Sequence, residues 1–130
     1  MNKEFIPYEQ ALALKELGFD EPCLGVYFDK ELHLTSSRLS LHMNNSNLTT
    51  RYSSAPLYQQ AFRWFRDKHK LDGGVVPINQ CGNHVHSWGI CDITNVDAFW
   101  EGKEYKLFEE AELVCLKKLI EIVKNNEKER

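Results

Sequence analysis

Between residues 81 and 91 the chain carries Cys81-x-x-His84-x-His86, with Cys91 five residues further on. Thiolates and imidazoles are zinc's usual ligands, and a thiol beside an imidazole is the beginning of a nucleophile–base pair. The spacing secures neither chemistry. Side chains alternate along a strand, so His84 and His86 share one face while Cys91 points to the other. Four ligands would converge only across a bulge or a loop, and the pattern matches no standard zinc motif. The sequence therefore assigns no metal site, no cofactor and no catalytic residue.

Binding is the better use of these side chains. Alternation puts His84, His86, Trp88, Ile90 and Asp92 on one side, and Val85, Ser87, Gly89, Cys91 and Ile93 on the other. If the second side packs on helices, the first presents two imidazoles and an indole. Flat rings and neutral donors suit a nucleobase, and ring stacking is worth about 1–3 kcal/mol per base. Tyr27, on an earlier hairpin, adds a ring. The candidate ligand-binding residues are thus Tyr27, His84, His86 and Trp88. The competing expectation puts Trp88 in the core, where an indole is mostly found. Cys23 and Cys115 fall in apolar surroundings and are expected to be inert.

The elements that must position these residues follow from pattern. Residues 7–17 are expected to be helical, with Pro7 at the entry and Gly18 at the exit. Residues 23–28 and 31–35 form a hairpin about Asp29-Lys30. Residues 36–50, rich in Ser and Asn, make a loop in which Leu39, Leu41 and Leu48 could supply a short strand. Residues 53–71 read as one amphipathic helix capped by Ser54, with Pro56 in its first turn. At about 100° per residue, Leu57, Tyr58, Ala61, Phe62, Trp64 and Phe65 share an arc, opposite Gln59, Gln60, Arg63, Arg66, Asp67 and Lys70. Gly73-Gly74 ends the connection to two strands, 75–78 and 84–93, joined by a turn over 79–83. A last helix covers 107–124, and residues 125–130 are expected to fray. The order α-β-β-α-β-β-α implies an α+β fold, a small, mainly antiparallel sheet packed against helices, in one domain of residues 1–130.

The last helix is apolar around most of its girth. Leu107, Phe108, Ala111, Val114, Cys115, Leu119 and Ile122 make one stripe, and Leu113, Leu116 and Ile120 a second on the opposite side. Such a helix is either deeply buried or shared with another subunit, and in a domain this small a homo-oligomer formed through it, a homodimer, is the expectation.

Composition excludes several classes. A 42% hydrophobic content supports a folded core, and a formal net charge of −3 argues against binding duplex nucleic acid, which draws on many Lys and Arg contacts. No apolar run reaches bilayer length, and residues 1–10 lack a signal-peptide core, so no membrane partner and a cytoplasmic location are expected. Four cysteines without a disulfide-rich spacing fit that compartment.

Three blocks carry a family resemblance: FIPYEQALALKELGFDEPCLGVY, SSAPLYQQAFRWFRDKHKL and EEAELVCLKKLIEIVK. Together they resemble an uncharacterised family of small proteins encoded in phages and prophages of gut bacteria and in their hosts. The likeness covers roughly half the chain and leaves out 73–99, where the Cys and His residues lie. It brings no catalytic residues. It implies a phage accessory protein, a setting in which small proteins sequester a nucleotide second messenger or bind a host protein.

Three functions follow as expectations. The first is a non-enzymatic binder of a small, nucleotide-like ligand, sequestering a host defence signal. The second is a protein-interaction module that inhibits a host factor. The third is an enzyme using Cys81, His84 and His86. Binding ranks above catalysis because no acid–base pair stands out.

Overall fold

The structure is a computed structural model that describes residues 2–34, 44–48 and 51–128. The fold is α+β, with three helices and two three-stranded antiparallel sheets, in the order α1 (Tyr8–Glu16), β1 (Gly25–Phe28), β2 (Glu31–Leu34), β3 (Tyr52–Ala55), α2 (Tyr58–His69), β4 (Leu71–Gln80), β5 (Asn83–Asp92), β6 (Phe99–Glu101) and α3 (Phe108–Lys128). The chain divides into two compact units, Met1–Ala61 and Phe62–Arg130.

The first unit carries the sheet β2-β1-β3. Asp29 and Lys30 turn the β1–β2 hairpin with φ of 50° and 71°, the left-handed pair that matches strand twist. Helix α1 leaves through Gly18 at φ 98°. Its Lys15 ammonium donates to the Tyr52 carbonyl at 2.8 Å, tying the helix to β3.

Strand β3 corrects the expected helix over 53–71. Ser53 and Ser54 are not cap residues; they pair with Tyr27 and Val26 in the sheet and are buried. Pro56 explains the boundary, because the residue before a proline favours extended backbone. The helix begins two residues later. Its expected arc holds: Tyr58, Ala61, Trp64 and Phe65 are buried, whereas Gln59, Arg63, Arg66 and Asp67 are exposed. Of the loop expected over 36–50, Asn45–Asn47 form a short helical turn docked by Asn45, whose amide donates to the Phe19 carbonyl at 2.7 Å and accepts from the Ser54 N–H at 3.0 Å. Leu39 and Leu41 lie outside the described residues.

The second unit is the sheet β4-β5-β6 with α3 packed on β4 and β5. Gly73 and Gly74 sit inside β4 rather than ending a connection. The β4–β5 turn is two residues, not five: Cys81 at φ 49° and Gly82 at φ 80°. His86 exchanges both backbone bonds with Tyr105 at 2.7 Å, so its polar groups face away from β4. Pro77, opposite His86, therefore loses no ladder bond, and its missing N–H falls on the outer edge, where proline is tolerated.

Opposed residues share a face in an antiparallel pair. The face of Gly73, Trp88 and Ile90 is the one beneath α3. A side chain at Gly73 would meet Leu119, Cys115 and Ile90 at 3.1–3.3 Å, so the missing Cβ lets the helix approach. The expected assignment of faces is thereby reversed. Trp88 and Ile90 are 8% and 0% exposed, and the other side is the more open one: Cys91, Val76 and Phe99 are exposed there and Gly89 half-buried, although Ser87 is buried. Bulk decides: Trp88 and Ile90 have large apolar surfaces to hide, and Ser87 and Gly89 have almost none.

Helix α3 runs beyond the expected 124 to Lys128. Leu116 and Ile120, read as surplus, are 0% and 7% exposed in the single chain. Leu113, the third residue of that stripe, is half-buried. Among the described residues, no helix is long and apolar enough to cross a membrane.

Candidate functional site

The hairpin tip and the segment leading into α3 enclose a groove of about 610 Å³, lined by Gln80, Cys81, Asn83, His84, Val85, Glu104 and Lys106. Two local devices build it. The tight turn projects Cys81 and Asn83 from the end of the β4–β5 hairpin. The His86–Tyr105 backbone pair pins the approaching segment, so that Glu104 and Lys106 flank the fixed residue Tyr105. Cys81 holds left-handed backbone without being glycine, a conformation uncommon for such a residue.

His84 is exposed on β5, and its Nδ1 lies 2.5 Å from Oδ1 of Asn79, its cross-strand partner. An imidazole carrying its proton on Nδ1 donates to this amide oxygen. The rings of His84 and His86 meet edge to face at 4.8 Å, and His86 meets Phe108 of α3 in the same way at 5.7 Å. His86 Nδ1 is buried without a hydrogen-bond partner among the described residues. Such a group costs about 1–3 kcal/mol. His86 thus backs His84 from behind, against the helix.

Of the four residues singled out by sequence, the structure brings His84 and His86 together. Trp88 lies on the same face but is buried, its indole covering Gly102 so closely that any side chain there would overlap the ring. Tyr27 belongs to the first unit, where it is buried, stacks edge-on against Tyr8 at 5.5 Å and donates to the Ile6 carbonyl at 2.7 Å. Burial pushes its phenol up. Both rings have structural duties.

The cysteines separate into two kinds. Cys81 and Cys91 are exposed; Cys23 and Cys115 are buried, with thiols pushed up to about 12 by loss of solvation. Among the described residues, no three His, Cys, Asp or Glu side chains gather to hold a metal ion, and Cys81 makes no hydrogen bond to His84.

Sequence reasoning missed Lys106, Glu104 and Glu112. Lys106 and Glu104 reach the groove through the backbone pairing of His86 with Tyr105, nineteen residues further along the chain, which no local pattern announces. Glu112 is half-buried on α3, and its carboxyl is raised to about 7 by burial and then by nearby Glu109. The helical spacing that puts Glu112 one turn before buried Cys115 is the signal available in the sequence.

Comparison of the chain with protein-family models, curated proteins and solved structures finds no match.

Proposed function

We propose that this chain is a non-catalytic accessory protein of phage type that holds a small, nucleotide-like ligand in the hairpin-tip groove, sequestering a host defence signal. The observation that carries the reading is the composition of that groove: one ammonium (Lys106), one imidazole (His84), two amides (Gln80 and Asn83) and a carboxylate (Glu104) around about 610 Å³. That volume falls within the roughly 300–1,000 Å³ of small-molecule sites. Lys106 offers a charge-assisted contact to a phosphate. The His84 ring offers a flat surface and a polar ring edge, and the amides offer donors and acceptors to a base edge. The phage setting comes from the three sequence blocks.

Binding without turnover is favoured because Cys81 and His84 are not joined as nucleophile and base among the described residues. The site has moved from its expected composition: His84 stays, His86 supports it, and Trp88 and Tyr27 give way to Lys106 and the turn.

Native mass spectrometry of the chain after exposure to lysate of phage-infected cells is the test, with adenosine monophosphate as a defined probe. The expected result is added mass that is lost on denaturation. Lys106→Ala should weaken the probe about tenfold, the worth of one charge-assisted bond. The same spectrum counts the chains per particle and so tests the homo-oligomer expected from the last helix. A bare chain that instead retains a host protein overturns the small-ligand reading in favour of an interaction module. A turnover abolished by Cys81→Ser overturns it in favour of catalysis.

A further inference from the structure

The open face of the second sheet has an unexplained window. Gly74 and Gly89 are directly opposed at the middle of the β4–β5 ladder. Neither has a left-handed φ. Among the described residues, a side chain at Gly74 would meet nothing within 4 Å, and one at Gly89 only the Trp100 carbonyl at 3.9 Å. Adjacent Gly73 shows what an explained glycine looks like: its Cβ would press on Leu119, Cys115 and Ile90. Glycine inside a strand weakens the strand, and where no internal contact demands it, it marks close approach by something else.

The surroundings describe that visitor. Gly89 floors a depression of about 250 Å³, whose walls include Val76, Cys91 and Phe99. Val76 and Phe99 are 50% and 62% exposed. The depression's two oxygen-bearing side chains are both acceptors. Glu101, opposite Gly89 on β6, is an exposed carboxylate, and Ser87 has spent its hydroxyl hydrogen on the Gly102 carbonyl at 3.0 Å. The other carboxylate on this face, Asp72, lies opposite Cys91 with Arg66 at 3.9 Å.

We infer that this window is a binding site for an aromatic organic cation, a single ring carrying an ammonium or amidinium group. The ring lies on the bare peptide plane of Gly89, between Val76 and Phe99, and its cationic end is held by Glu101. An exposed phenyl ring beside a carboxylate attracts a cation in two ways, through the π face and through charge. The site is separate from the hairpin-tip groove and takes the opposite charge.

The test is a titration of the ¹⁵N-labelled full chain followed by amide shifts, with benzamidine as the probe and benzoate as its charge-reversed control. Benzamidine should move the Gly74 and Gly89 amides saturably, and benzoate at the same concentration should leave them in place. Glu101→Gln should weaken benzamidine about tenfold. Gly89→Ala should abolish the shift without loss of fold, because the added methyl has room in the sheet and fills the floor. Phe99→Ala, at an exposed position, is the companion variant should Gly89→Ala misfold, and it should weaken the probe at least severalfold. Equal binding of benzamidine and benzoate would overturn the inference, as would binding that survives both variants. Glycine shifts that follow protein concentration alone would also overturn it, by showing that a second copy of the chain covers the face.

Discussion

The two faces of the β4-β5-β6 sheet are built from the same strands and meet different fates. Beneath α3 lie Trp88, Ile90 and Leu71, all nearly inaccessible, with Gly73 trimmed to admit the helix. On the other side lie Val76, Phe99 and Cys91, exposed around two glycines that no contact among the described residues requires. Alternation of side chains divides a strand into two sets but does not say which set is inside. The sum of apolar area decides that, and it is decided over the whole sheet, not along one strand.

The largest effect that would break this comparison is at Trp88. If its face is the packed one, Trp88→Ala should cost about 3–5 kcal/mol, as removal of a buried indole does. Urea unfolding followed by circular dichroism measures it. A folded variant of nearly unchanged stability would return Trp88 to the surface, and the faces would have to be exchanged again.

A pair of neighbouring substitutions sharpens the contrast at smaller scale. Gly73→Ala pushes a methyl into Leu119, Cys115 and Ile90 and should destabilise by about 1–2 kcal/mol through overpacking. Gly74→Ala adds the same methyl to the open face and should stabilise by about 0.5–1 kcal/mol, because glycine is the poorer strand residue. Opposite signs at adjacent positions, read in the same urea experiment, are the signature. Equal signs would mean that both faces are packed or that both are open.

Two features were legible because their signals are local. The Asp29–Lys30 turn and the apolar arc of α2 each depend on residues within a few positions of one another. Strand β3 was not legible, because Ser53 and Ser54 are good helix caps until they pair with Tyr27 and Val26, more than twenty residues away. Strand β6 has only the residues Phe99–Glu101, too few for a period to show. The groove was half legible. Cys81 and His84 flank one tight turn and announce themselves, whereas Lys106 arrives by the His86–Tyr105 pairing. Gly73-Gly74 was misread because glycine usually punctuates strands; here tertiary packing overrides propensity on one side, and an open window replaces it on the other.

The smallest expected effect concerns the dryness of the helix-covered side. Glu112 lies on α3 one turn before Cys115, and its carboxyl is raised from 4.5 to about 7, first by burial and then by Glu109. A carboxyl raised by folding holds its proton longer in the folded chain than in the unfolded one. Between pH 4.5 and 7 the folded chain is thus the better proton binder, and stability must fall as pH rises through that window and level off above it. Glu112→Gln keeps the shape and removes the charge. Its stability relative to the parent should be unchanged below the window and should gain steadily across it, measured by urea unfolding at a series of pH values. Glu112 is only half-buried, so solvent moderates the size of the gain but not its sign. A difference independent of pH would mean that water reaches Glu112 as freely as it reaches the open face. The contrast between the two sides of the sheet would then rest on Trp88 and Ile90 alone.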